Sequence, residues 1–172
     1  MGRFASDTSV SVAKSRAEIE EIITRYGGKD FVSGVIDSQS VAVLGFSANE
    51  RHLKFVLPLP SKTSKEFWYT AAKNLRRPES DAMRLWEQAC RQRWRALCLC
   101  IKAKLEAVDC KITTFEEEFL AHIVLPGGRT VGEEIAPKIA LAYETQQVRG
   151  LLPDYSQPAQ ADVIDVAARR SR

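Results

Sequence analysis

The sequence predicts an α+β fold: a three-stranded antiparallel sheet packed on a long central helix, with shorter helices around it, in the order α-β-β-β-α-α-α. Three observations predict it. Three apolar runs of strand length are separated by turns too short for crossovers. A stretch near residues 79–108 contains no proline or glycine and keeps a helical apolar period. Capping boxes mark the starts of further helices on either side of this core.

The first helix is expected to open at Ser15-Arg16-Ala17-Glu18, a capping box, and to carry Ile19, Ile22, Ile23 and Tyr26 on one face. Gly27-Gly28 ends it, because glycine adopts the left-handed backbone of a helix C-terminus at little cost. Strands follow over Phe31–Ile36, Val41–Phe46 and Leu53–Leu57, with turns at Asp37-Ser38 and Ala48-Asn49-Glu50 and a stop at Pro58 and Pro60. Residues 61–77 read as a basic loop holding Phe67, Trp68 and Tyr69. Pro78-Glu79-Ser80-Asp81 opens the long helix, with proline in the first turn and acids at the positive end of the dipole. Thr113-Thr114-Phe115-Glu116-Glu117 offers two overlapping caps for a helix over 114–122, and Thr130-Val131-Gly132-Glu133 opens a last helix to about Gln146, interrupted or kinked at Pro137. Residues 1–13 are expected to form a flexible arm, 14–147 one α+β domain, and 148–172, rich in Pro, Gln, Ala and Asp, a disordered tail.

The 172 residues suffice for a core without metals or disulfides. Cys90, Cys98, Cys100 and Cys110 lack the paired spacings of a zinc site, so small buried thiols in a reducing cytosol are expected, with no metal and no cofactor. The first twelve residues hold no apolar run, and nothing approaches the roughly 20 apolar residues of a membrane span. A cytoplasmic protein of a bacterial host cell, with no membrane partner, is the expectation.

The long helix carries the main functional signal. On a helical wheel Arg91, Arg95 and Lys102 fall within about 20° of Arg84. Trp86, Cys90, Trp94, Leu97, Ile101 and Leu105 gather opposite, and Ala89, Ala96, Cys100, Ala103 and Ala107 form a third face of small side chains, against which another element is expected to pack. That leaves the cationic strip facing water. It spans about 27 Å of helix, a length that phosphates could track. It is equally the pattern of an ordinary solvated helix face. Arg93 and Lys104 lie off the strip, placed to snorkel or to pair with the acids at 116–118. Trp68 beside Lys73, Arg76 and Arg77 would add a stacking surface for bases.

Other chemistry is weaker. Glu118 and His122 share a face on a continuous helix, half of a metal geometry, but an HExxH motif is missing. No serine sits in a G-x-S-x-G elbow, and Gly127-Gly128-Arg129 lacks the lysine and hydroxyl of a phosphate loop. Acids at 116–118 and 133–134 could bind Mg²⁺ if assembled, although first-turn positions explain them more simply.

The runs WEQACRQRWRALCLCIKAKLEAV and TFEEEFLAHIVLPGGRTVGE, with FVLPLP before them and LLP near residue 153, resemble small uncharacterised proteins encoded by bacteriophages and prophages. The resemblance spans most of residues 14–153 and implies a role in DNA replication or recombination, or interference with host defence. The helix–three strands–helix order is also similar, in topology alone, to double-stranded-RNA-binding domains and to the core of single-strand annealing proteins. The expected function is therefore non-enzymatic binding of single- or double-stranded DNA through Arg84, Arg91, Arg95, Lys102, Lys73, Arg76, Arg77 and Trp68. The alternative is a protein-interaction module: a homo-oligomer, or a chain that binds a host or phage protein. A third reading is a nuclease accessory or metal enzyme using the glutamates.

Overall fold

The computed structural model describes residues 5, 8–147 and 150–152. The expected arm over 1–13 lies partly, and the expected tail over 148–172 almost wholly, outside the described residues. The chain divides into two compact units, Met1–Glu133 and Glu134–Arg172.

The first unit opens with α1 (Val12–Arg25), which starts earlier than its sequence cap suggests. Ser11, not Ser15, is the N-cap, and its hydroxyl accepts from the Lys14 amide. Ser15 lies inside the helix and is buried. Upstream, the Gln88 side-chain amide donates to the Thr8 carbonyl at 3.0 Å, tying this end of the arm to the long helix. Gly27 takes φ +81°, the left-handed turn that ends α1.

Strands β1 (Lys29–Ile36), β2 (Val41–Ala48) and β3 (Arg51–Pro58) form one antiparallel sheet in that order. Asp30, at φ 56°, lies in a bulge where β1 shifts register between Lys29 and Val32. Asn49 and Glu50, at φ 46° and 59°, make the two-residue turn into β3, a geometry that matches the strand twist. The period of two divides the sheet cleanly. Ala42, Leu44, Phe46, Leu53 and Phe55 point inward and are buried against Ile19, Ile22 and Ile23 of α1.

After α2 (Lys65–Trp68), a single turn, comes α3 (Glu79–Asp109), 31 residues and about 46 Å long. Its Trp94, Cys98, Ile101 and Leu105 complete the main core with Phe115 and Phe119. Phe67, Ala82 and Ala89 form a smaller cluster with Trp68, Met83 and Trp86 half-buried around it. Burial also pushes the Cys98 thiol up to about 11, with the Glu18 carboxylate adding to the effect. Cys90 is likewise buried, but Cys100 and Cys110 are exposed, so only two of the four cysteines are the interior thiols expected.

The expected helix over 114–122 is shorter. Helix α4 (Phe115–Phe119) is capped by a reciprocal Thr114–Glu117 box and passes into a 3-10 turn over Leu120–His122. The turn carries His122 onto Phe55, ring centroids 3.9 Å apart, while Glu118 reaches Lys104 at 3.0 Å. Glu118 and His122 therefore part company, whereas the expected pairing of Lys104 with the acids at 116–118 is present. Helix α5 (Val131–Thr145) contains Pro137, and the Thr130–Glu133 box forms at its start. Within the second unit Lys138 pairs with Glu134 and donates to the Leu151 carbonyl. No helix among the described residues is long and apolar enough to cross a membrane.

Candidate interaction surfaces

The four cations on α3 do not form a free ridge. Helix α1 packs beside them, and its Glu18 carboxylate takes Arg95 in a short ion pair with both side chains mostly covered. Arg91 donates twice to the Gln88 amide oxygen, at 2.6 and 2.9 Å, and lies 3.8 Å from Glu87. Arg84 is exposed and 3.7 Å from Asp81. Lys102 is exposed, and it lines a shallow groove of about 360 Å³ with Lys14, Arg25, Glu18 and Glu21. This groove mixes both signs, which suits ion pairs between helices better than a run of phosphates.

The small-residue face is the one left open. Ala96, Cys100 and Ala103 are exposed, with Leu99 at their side. The expectation that another element packs on this face is met at Ala89, which lies buried beside Phe67 of α2, and not at Ala96, Cys100 and Ala103. The physical reason is apolar burial: α1 lays Ile19, Ile22 and Ile23 in the core with Trp94, Cys98 and Ile101, and its Glu18 meets Arg95 beside that contact. The available signal was the isoleucine stripe of α1 at 19, 22 and 23 with Glu18 beside it.

The loop over 61–77 is built around Arg77. Its Nη1 lies 2.9, 3.0 and 2.5 Å from the carbonyls of Glu66, Phe67 and Tyr69, which α2 leaves without helical partners. The Trp68 indole donates to the Lys62 carbonyl at 2.7 Å, and the Arg76 guanidinium stands 5.6 Å over its ring. A Tyr69–Arg76 bridge closes a small hairpin whose tip exposes Lys73 and Leu75. The structure thus brings Arg76 onto Trp68 and leaves Lys73 exposed at the tip of the same hairpin, with Arg77 inside the loop and the α3 cations elsewhere.

A surface that sequence reading missed lies on the sheet. The face turned away from the helices carries Val32 at 65% exposure, Val56 at 48% and Ile36 at 41%, with Val41 and Val43 half-buried between them. Toward one margin of this face Lys54 is held by the Gly128 carbonyl and Glu133, while Val32, Ile36 and Val56 remain open. The missed signal was apolar residues at both parities of β1 and β2: a strand that is apolar on two faces is normally covered on two faces.

Beside β1, on the inner side, a groove of about 630 Å³ opens between Val35, Val12, Leu59, Trp86 and Trp94. Lys62 stands over the Trp86 ring at 4.6 Å on its rim. None of the family models, curated proteins or solved structures compared with the chain matches it.

Proposed function

We infer that this chain is a protein-interaction module whose docking surface is the outer face of the sheet. The observation that carries the reading is the run of exposed valine and isoleucine side chains on Val32, Ile36 and Val56. Contiguous apolar surface of this kind is costly to leave in water and marks interaction sites. The reading is tested with tagged chain mixed with bacterial lysate or with untagged copies of itself. Wild type should retain a protein that the Val32→Lys/Val56→Lys double variant loses while its circular dichroism stays unchanged. Equal retention by both, or retention of nothing by wild type, overturns it.

Nucleic-acid binding is the second reading, and one observation favours it: the pairing of Arg76 with the Trp68 ring beside exposed Lys73. Such a cation-and-ring tip suits single strands. It moves the expected footprint from the α3 strip to the hairpin. In DNA titrations at two salt concentrations, Lys73→Glu/Arg76→Glu should then abolish a salt-sensitive affinity. Wild type that binds no DNA at low salt rules this reading out.

A further inference from the structure

We propose that the partner on the sheet is a second copy of this chain, adding its own β1 to the open edge of β1 about a two-fold axis at Gly34. The proposal rests on the interaction reading and narrows it to the β1 rim of the outer face, where Val32 and Ile36 stand. It joins two three-stranded sheets into one of six strands with a continuous apolar outer face.

The two edges of the sheet differ. The free side of β3 is partly occupied: Leu53 bridges Ile123, the Val124 amide donates to the His52 carbonyl at 2.8 Å, and the strand ends in Pro58. Among the described residues no strand pairs with the free side of β1. From Phe31 to Ile36 that strand has no charge and no proline, the usual guards of an edge. Its one hydrogen-bonding neighbour from α1 is Arg16, which donates to the Ser33 hydroxyl at 2.6 and 3.0 Å and only weakly, at 3.4 Å, to the Ser33 carbonyl.

The strand is complementary to itself in antiparallel register, which a two-fold interface requires. With Gly34 on the axis, Val32 meets the partner's Ile36 and Ser33 meets the partner's Val35. Each pair shares a face, because paired residues across strands point the same way. The two most exposed outer-face residues of β1 thus cover each other, and Val35, 50% exposed although it lies on the inner side, gains a neighbour. A Cβ built on Gly34 meets nothing within 4 Å, so the axis has room for approach. The same register sets the partner's Phe31 opposite Asp37, which lines the groove together with Trp86 and Trp94.

The test is sedimentation of the full chain over a wide concentration range, for wild type and four variants. Wild type should dimerise. Val32→Glu and Ile36→Lys should each raise the dissociation constant about tenfold or more, since each places a charge against the partner's apolar side chain twice per dimer. Val32→Glu with Ile36→Lys should restore the dimer, because the new charges then face each other across the axis and lie too far apart within one chain. Val56→Glu, on the outer face but away from the edge, should leave it intact. A wild-type monomer at every concentration overturns the proposal, and leaves the interaction reading to its own capture assay. Dissociation by Val56→Glu, or no rescue in the double variant, overturns the β1 register. Should the charged variants not fold, amide exchange of wild type decides: residues 32–36 slowing with concentration supports the pairing, and unchanged exchange overturns it.

Discussion

Ser15 shows how one residue can be misread. Serine followed by glutamate three positions on spells a helix start, yet Glu18 is drawn away by Arg95 of another helix, and Ser11 caps instead. Ser15 is left fully buried with a hydroxyl that has no hydrogen-bond partner. Burying such a group costs about 1–3 kcal/mol, so Ser15→Ala should raise stability in urea unfolding by about 1 kcal/mol. The Arg95–Glu18 pair supplies a second test. Both side chains are about a quarter exposed, so Arg95→Ala should cost about 1–2 kcal/mol, between the surface and interior cases. A double-mutant cycle with Glu18→Ala should show a smaller loss for the pair than the sum of the singles.

At the scale of elements, the strands and α3 were legible because their signals are local. Alternating apolar residues, a two-residue turn and a glycine-free, proline-free run each specify geometry without knowledge of what packs on them. The packing partners were not legible. A helical wheel orders the faces of α3 but does not say which one α1 will choose, and the alanine face is covered only at Ala89. The loop over 61–77 was illegible for a similar reason: its order comes from one guanidinium and one indole bonded to backbone carbonyls, not from periodicity. Of the candidate site, Arg76 and Trp68 do meet as neighbours, but the role of Arg77 inside the loop and the open sheet face were not legible. The apolar side of α3 can be tested directly. Trp94, 1% exposed at the centre of the main core, should cost about 3–5 kcal/mol when changed to alanine, read from chemical unfolding.

For the molecule as a whole, stability should fall toward acid in two stages. Burial, aided by the nearby Lys104 ammonium, holds His122 below its ordinary 6.5. Between the folded and unfolded values the unfolded chain takes up the proton, so stability is full above about pH 6.5 and declines as pH falls through the lower folded value. Glu117 and Glu133 are held below the usual carboxylate value by hydrogen bonds from Thr114 and from Thr130 with Lys54, and their contribution fades later, below about pH 4.5. In urea midpoints measured against pH, His122→Gln should flatten the first stage and spare the second.

The three carbonyls gathered on Arg77 also govern how proteases meet the chain. A protease must draw an extended segment into its cleft, and the loop can supply one only by releasing that guanidinium. Lys62, Lys65, Lys73 and Arg76 all offer tryptic sites around it, while the bond after Arg77 is shielded by Pro78. Wild type should therefore survive brief trypsin treatment with this region uncut except at the hairpin tip. Arg77→Ala should open cuts at Lys62 and Lys65 and release α3 from the strands that precede it, long before the core itself unfolds.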